Sequence, residues 1–140
     1  MTHARHPGEL AACHAVVLCP RAAFTNTART DVRIAGLAAN APVITGLARQ
    51  WAGYGGVVIV VTNPVDVMTR LFAEVAGTRR VFGIGSHTDT ARYRLALAHR
   101  LSVPLDAVGA HVEGEHGDDA VPCVITLHRQ ELAAFPAGRG

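Results

Sequence analysis

Short, continuous apolar runs alternate along the chain with longer stretches of helical periodicity. The runs occupy positions 15–19, 57–61 and 81–85, and Val is their most frequent residue. Strands that are buried on both faces of a parallel sheet read as continuous apolar runs rather than as alternating patterns. The pattern therefore predicts three parallel strands at these positions.

The stretch before the second run is predicted as a long helix over 31–52. Thr30 or Asp31 provides its N-cap, while Gly36 and Pro42 interrupt its periodicity, so a bent or broken helix is expected. Its apolar positions lie about one turn apart, at Ile34, Leu37, Val43, Ile44 and Leu47.

Two further helices are predicted after the second and third runs. Pro64 suits the first position of a helix that Gly77 ends, and its predicted buried face consists of Val67, Leu71, Phe72 and Val75. The last helix is expected to be capped by Thr88 or Thr90 and to reach about Leu101.

Strands that alternate with helices indicate an α/β fold with a parallel sheet and covering helices. Beyond Val103 the pattern changes to two strands, at about 107–112 and 121–127, joined by a polar loop. The last ten residues have no pattern and are expected to form a frayed end.

Composition narrows the classes of function. The 140 residues are 49% hydrophobic with a formal charge of +2 and no basic run, so nucleic acid is not expected as a partner. The longest strongly apolar run, 57–61, is far shorter than the roughly 20 residues of a membrane span. The first twenty residues lack the order of a signal peptide, and we expect a cytoplasmic protein. Cys13, Cys19 and Cys123 suggest reduced, packed thiols.

Polar and ionisable residues follow the predicted strands, where ligands bind in parallel α/β sheets. They are Asn63, then His87, Asp89 and Arg92, and finally Glu113, Glu115, His116 and Asp118. Asp89 and Arg92 are three residues apart and can share one helix face. Arg92 can bind a carboxylate through two parallel hydrogen bonds, and His116 can act as a general acid or base.

Each of these residues also has a structural interpretation. Asp89 and Arg92 have the spacing of an ordinary surface ion pair, His116 stands in a solvated loop, and Asn63 can be a turn residue before Pro64. A metal site is another alternative, formed from His87, Asp89, His111, Glu113, Glu115 and His116. No recognised ligand spacing occurs among them, and alternation along a strand places His111 and Glu113 on one face and His116 elsewhere. No metal is expected.

Three motifs in a fixed order favour the functional interpretation. T-N-P-V-D-V-M-T, G-I-G-S-H-T-D-T-A-R-Y-R and G-E-H-G-D-D-A-V-P resemble successive signatures of the lactate/malate dehydrogenase family. The resemblance runs from about Ala12 to Cys123. It implies a partial Rossmann-like parallel sheet followed by the start of the family's catalytic domain.

The resemblance also implies roles for individual residues. His116 corresponds to the proton donor to the substrate carbonyl, Asp89 to its orienting partner and Arg92 to the arginine that binds the substrate carboxylate. Asn63 corresponds to the asparagine shared by substrate and nicotinamide, and the Asn63-Pro64 bond is expected to be cis. T-A-R-T-D resembles the end of the mobile loop whose arginine polarises the carbonyl, which implies that role for Arg29.

The implied cofactor is NAD. In this family it lies against the strand end that corresponds to Val61, Thr62 and Asn63. Asn40 matches a further cofactor-contacting asparagine if about one helical turn is inserted after Asp31. Pro20 and Arg21 depart from the family pattern, which has small, Gly-containing sequence beside the cofactor.

The chain contains no G-x-G-x-x-G, the loop that places a pyrophosphate at a helix N-terminus. The family's first βαβ unit, about 30 residues, is absent before Ala15, and most of its substrate domain is absent after Cys123. We therefore expect an incomplete dinucleotide-binding half at 1–86, the start of the catalytic domain at 87–130 and a disordered tail at 131–140. Such a piece exposes apolar sheet surface, so a homo-oligomer or a complementing chain is expected.

Two functions follow. The first is a truncated malate or lactate dehydrogenase-like oxidoreductase, in which His116 exchanges the proton. The alternative is a non-redox protein that binds a 2-oxo acid, or performs acid/base chemistry through His116, without NAD. The sequence does not distinguish malate from lactate as the substrate.

Overall fold

The computed structural model describes residues 7–10, 12–25, 36–117 and 119–127, and these form parts of two compact units, 1–84 and 85–140. The predicted frayed end at the C-terminus and the predicted N-cap at Thr30 or Asp31 lie outside the described residues. Along the described chain, no helix has the length and apolar character needed to cross a membrane.

The first unit contains the parallel sheet that the apolar runs predict. Strand β2 (Val57–Val60) lies between β1 (Ala15–Leu18) and β3 (Val81–Gly83), and both pairings are parallel. Together with its flanking helices, this sheet confirms the predicted α/β class.

Helices α1 (Leu37–Gln50) and α2 (Val65–Ala76) supply the core of this unit. Ile44 of α1 and Met68 and Phe72 of α2 are fully buried, together with Val58 and Val60 of the sheet. Helix α1 continues through Pro42, so the predicted break does not occur there. Gly77 ends α2 with a left-handed backbone (φ +66°), which costs glycine little.

The buried face of α2 matches the predicted one only in part, because Phe72 is fully buried as predicted and Val67 is not. The buried residues are Val65, Met68, Phe72 and Ala76, at intervals of three and four, whereas Val67 is 47% exposed. Leu71 and Val75 pack against the edge of the core. Apolar residues on neighbouring stripes of the helix gave two nearly equivalent faces, and packing on the sheet selected the one that contains Met68.

The face of the sheet that points away from these helices carries a row of apolar side chains. The strand register aligns Val17 with Ile59 and Ile59 with Phe82. Because side chains alternate along a strand, this row lies opposite the buried Leu18, Val58 and Val60. Val17 and Phe82 are each 57% exposed.

The second unit packs one helix on a two-stranded antiparallel ribbon. Helix α3 (His87–Leu101) contacts β4 (Val108–Glu113), which pairs with β5 (Val121–Leu127). Ala98, Val108 and Ala110 form a small buried core. In the ribbon, His111 pairs with Val124 and Val112 with Pro122, so Cys123 is an extra residue at a β-bulge. Cys123 is exposed, as are Cys13 and Cys19, so the predicted packing of the thiols is wrong.

Candidate functional site

Asp89 and His116 meet in the second unit. Asp89 lies in the first turn of α3, and His116 lies in the loop that joins β4 to β5. Nδ1 of His116 is hydrogen-bonded to Oδ2 of Asp89, and both side chains are largely shielded, at 19% and 25% exposure respectively. Since an ionised carboxylate only accepts hydrogen bonds, Nδ1 carries the proton and Nε2 is left to react.

Arg92 lies beside this pair, one turn along α3. Its Nη1 atom is 3.7 Å from Oδ1 of Asp89, and its side chain is 72% exposed. This distance allows electrostatic attraction but exceeds a hydrogen bond, so the guanidinium keeps its donors for another partner. The structure thus brings together Asp89, Arg92 and His116, three of the residues predicted from the sequence.

Two polar contacts between α3 and β4 fix the position of the helix along the strand, and so keep Asp89 within reach of His116. The hydroxyl of Thr90 accepts a hydrogen bond from the backbone N–H of Val112 at 3.0 Å. Nε of Arg94 donates to the carbonyl of Val108 at 2.8 Å. Because Ala98 is the single buried residue of α3, these contacts compensate for a small apolar interface.

The sequence pattern predicts a different role for Thr90, as an N-cap of this helix. The helix begins at His87 after Ser86, and no side chain caps it. Thr90 therefore sits inside the first turn, where its hydroxyl reaches β4. No local signal in the sequence predicts the contact with Val112, which lies 22 positions away.

Asn40, Val61, Thr62 and Asn63 line one pocket of about 210 Å³ in the first unit. This pocket contains every residue that was predicted to contact the cofactor. The remaining lining comes from the segment after β1 and from the start of α1, namely Cys19, Pro20, Arg21, Phe24 and Gly36. Their grouping at the end of β2 follows the general position of ligands in parallel sheets.

Asn40 is only 4% exposed and connects three segments around this pocket. Its Nδ2 donates to the carbonyl of Asn63 at 2.8 Å, and its Oδ1 accepts from the N–H of Ala22 at 2.9 Å. The amide retains a second N–H and a second acceptor site. The side chain of Asn40 therefore links the segments around the pocket through hydrogen bonds. Its contact with a cofactor stays a prediction.

Thr62 also links two segments that line the pocket. Its hydroxyl donates to the carbonyl of Pro20 at 2.7 Å and its side chain is buried. The following Asn63-Pro64 peptide bond is cis, as the resemblance implied.

Phe24 is a pocket residue that the sequence analysis missed. A Cβ at Gly36 would lie 3.1 Å from its ring and 3.2 Å from Nδ2 of Asn40, so the close approach of Phe24 depends on a glycine there. The guanidinium of Arg21 lies 5.2 Å from the centre of the Phe24 ring. Arg29, the predicted carbonyl-polarising residue, lies outside the described residues.

Comparisons with known proteins extend the resemblance over most of the chain. The L-lactate dehydrogenase of Lactobacillus delbrueckii subsp. bulgaricus is 45% identical over 71 residues, which is 49% of this chain and 23% of that protein. The L-lactate dehydrogenase of Gloeobacter violaceus is 36% identical over 119 residues, covering 82% of this chain and 36% of that protein. No protein-family model matches the chain.

The comparison with solved structures gives the same kind of relatives as the comparison of sequences. Cryptosporidium parvum malate dehydrogenase superimposes with a TM-score of 0.78 at 28% identity, over 89% of this chain and 40% of that one. Cryptosporidium parvum lactate dehydrogenase, complexed with lactic acid and nicotinamide adenine dinucleotide, gives 0.76 at 28% identity, over 91% and 41%.

The chain thus spans about a quarter to a third of the length of these curated relatives. In sequence and in fold, it is similar to a central portion of the lactate/malate dehydrogenase family.

Proposed function

We propose that this chain carries the substrate-activating residues of an oxidoreductase that exchanges hydride between a nicotinamide cofactor and a 2-hydroxy or 2-oxo acid. The observation that carries this proposal is the hydrogen bond between His116 and Asp89, formed by residues 27 positions apart. A histidine in a solvated loop without a catalytic role gains little from a shielded carboxylate partner. A histidine that becomes positively charged during catalysis is stabilised by such a partner.

His116 acts in this proposal through Nε2. During reduction of a 2-oxo acid, Nε2–H gives its proton to the carbonyl oxygen, and during oxidation of a 2-hydroxy acid Nε2 accepts the hydroxyl proton. Asp89 holds the imidazole in the required tautomer and stabilises the imidazolium form. Arg92 binds the substrate carboxylate with two parallel hydrogen bonds, which its exposed guanidinium is free to form. The substrate roles of Asn63 and Arg29 stay predictions.

The pocket in the first unit fits one end of a dinucleotide. Its volume of about 210 Å³ is below the roughly 300–1,000 Å³ of pockets that enclose a drug-sized ligand. It offers the polar groups of Asn40 and Asn63 beside the apolar Val61, which suits a nicotinamide and its ribose. A bound nicotinamide supplies hydride exchange with the substrate carbon. The described residues provide no glycine-rich turn for the pyrophosphate, so we expect weak binding by this chain alone.

The experiment is a coupled measurement of turnover and binding. Oxidation of NADH is followed at several concentrations of pyruvate and oxaloacetate, and NAD reduction with lactate and malate. NAD binding is measured by calorimetry. Turnover that is lost in His116→Gln and retained in His99→Gln, an exposed histidine in the last turn of α3, supports the proposal. Absence of both turnover and cofactor binding in the intact protein contradicts it.

A second candidate is a non-redox protein that binds a 2-oxo acid or catalyses its enolisation or decarboxylation through His116. Pro20, Arg21 and Phe24 around the pocket favour it, because Pro20 and Arg21 depart from the small, Gly-containing sequence that the resemblance implies beside the cofactor. Exchange of the substrate's α-protons with deuterated water, followed by NMR, distinguishes the two. Exchange that requires His116 and proceeds without NAD identifies this second function.

We further propose that the first unit is the incomplete dinucleotide-binding half and that the second begins the catalytic domain, as the ranges 1–86 and 87–130 predict. The apolar row of Val17, Ile59 and Phe82 then needs a cover, supplied by another copy of the chain or by a complementing chain. Size-exclusion chromatography with light scattering tests this association. A compact monomer that unfolds cooperatively contradicts it.

A further inference from the structure

Three side chains with different ligand chemistry converge on the ribbon of the second unit. They are His111 and Glu113 of β4 and Cys123 of β5, and their ligand atoms all lie within 4.8 Å of one another. Nε2 of His111 is 3.2 Å from Oε1 of Glu113. None of the three takes part in the site proposed above.

The β-bulge explains why these side chains meet. His111 and Glu113 are two residues apart on one strand, so they share a face of the ribbon. Cys123 is the extra residue between Pro122 and Val124, the partners of Val112 and His111. A bulge redirects a side chain locally, and here it brings the sulfur of Cys123 to the face that holds the imidazole and the carboxylate.

We propose that His111, Glu113 and Cys123 form a zinc site. Imidazole nitrogen, carboxylate oxygen and thiolate sulfur are the ligand atoms that zinc accepts in proteins. The thiolate disfavours magnesium and calcium, which prefer oxygen ligands. Three protein ligands leave the fourth tetrahedral position for water.

The distances permit this coordination with small movements. Zinc bonds of about 2.0–2.3 Å in a tetrahedron place ligand atoms about 3.3–3.8 Å apart. Separations of up to 4.8 Å must therefore shorten by about 1 Å, which side-chain rotation can supply. Glu113 and Cys123 are exposed and His111 is half-buried, so packing does not oppose that rotation.

The site is separate from His116, although both lie in the same unit. His116 is engaged by Asp89 through Nδ1. Six residues were considered as metal ligands from the sequence. Among the described residues, the group of three possible ligands contains His111 and Glu113 of that set, together with Cys123, while Asp89 and His116 pair with each other. Since residues 114–120 connect Glu113 to Val121, bound zinc also closes the base of the loop that carries His116.

The test is zinc binding by the purified, metal-stripped protein in the presence of a non-thiol reductant. Competition with a chromophoric chelator is expected to give one zinc per chain. His111→Ala, Glu113→Gln and Cys123→Ser are each expected to weaken binding at least tenfold. Cys13→Ser is the matched control, because Cys13 is also an exposed free thiol.

Cobalt substitution identifies the ligands directly. Co²⁺ at this site is expected to show thiolate-to-metal charge-transfer absorption that disappears in Cys123→Ser and persists in Cys13→Ser. Zinc is also expected to raise the unfolding temperature of the wild-type chain more than that of Glu113→Gln at the same zinc concentration. No zinc bound per chain, or affinity that is unchanged in Cys123→Ser, overturns the proposal.

Discussion

Asp89, in the first turn of α3, accepts a hydrogen bond from Nδ1 of His116, in the loop between the two strands of the ribbon. If this bond sets the tautomer of a catalytic imidazole, Asp89→Asn permits the opposite tautomer and removes the charge that favours imidazolium. We expect kcat to fall by about 10²- to 10⁴-fold with a smaller change in KM. Steady-state kinetics with pyruvate or oxaloacetate measure both constants. An unchanged kcat would show that the pair is structural.

Substitution of Arg92 is expected to weaken substrate binding much more than it lowers the stability of the fold. Arg92→Leu is expected to raise KM for carboxylate substrates at least tenfold, because a bidentate charge-assisted contact is lost. Its exposed contact with Asp89 at 3.7 Å should contribute about 0.5 kcal/mol or less to the free energy of unfolding. Arg100→Leu, in the last turn of the same helix, is the control. Equal effects of the two substitutions on KM contradict the assigned role.

Thr90→Val tests the contact between α3 and β4. The variant leaves the N–H of Val112 without its acceptor, in a residue that is 8% exposed. Leaving a buried donor unpaired costs about 1–3 kcal/mol, and urea unfolding measures this loss. Thr88→Val, also half-buried and without a hydrogen bond among the described residues, should change stability much less. Comparable losses in both variants would remove the positioning role of Thr90.

The orientation of α2 is tested by truncating residues on adjacent stripes. Met68→Ala empties a fully buried position and is expected to cost about 2–5 kcal/mol. Val67→Ala, at a position 47% exposed, should cost no more than about 0.5 kcal/mol. Thermal or urea unfolding compares them. The reverse order would mean that the helix packs through the face that the sequence analysis predicted.

The apolar row on the open face of the sheet predicts a change in assembly. Phe82→Lys places a charge beside Ile59 on that face and should shift the protein toward smaller species in light scattering. Leu95→Lys, at a residue that is 60% exposed on α3, is the matched control. If only Leu95→Lys alters the mass, the associating surface lies elsewhere.

Much of the fold and part of the candidate site are encoded locally. Apolar runs of Val and Ile predict β2 and β3 to within two residues at their ends, and Gly77 marks the end of α2, since few other residues tolerate its backbone. The motifs that contain Asp89 and His116 indicate acid/base chemistry through their residue types and their order along the chain, both of which can be read without the structure. Local propensity and order are properties that a linear pattern carries.

Tertiary structure decided which distant groups meet. Strand pairing and a single bulged residue brought Cys123 to His111 and Glu113, and packing of α3 on β4 turned the hydroxyl of Thr90 from a possible cap into a contact with Val112. The amide of Asn40 links the segments of the pocket only because the fold brings its helix close to Asn63 and Ala22. These contacts depend on register and packing angle, which arise from the whole buried surface and from no single segment of the chain.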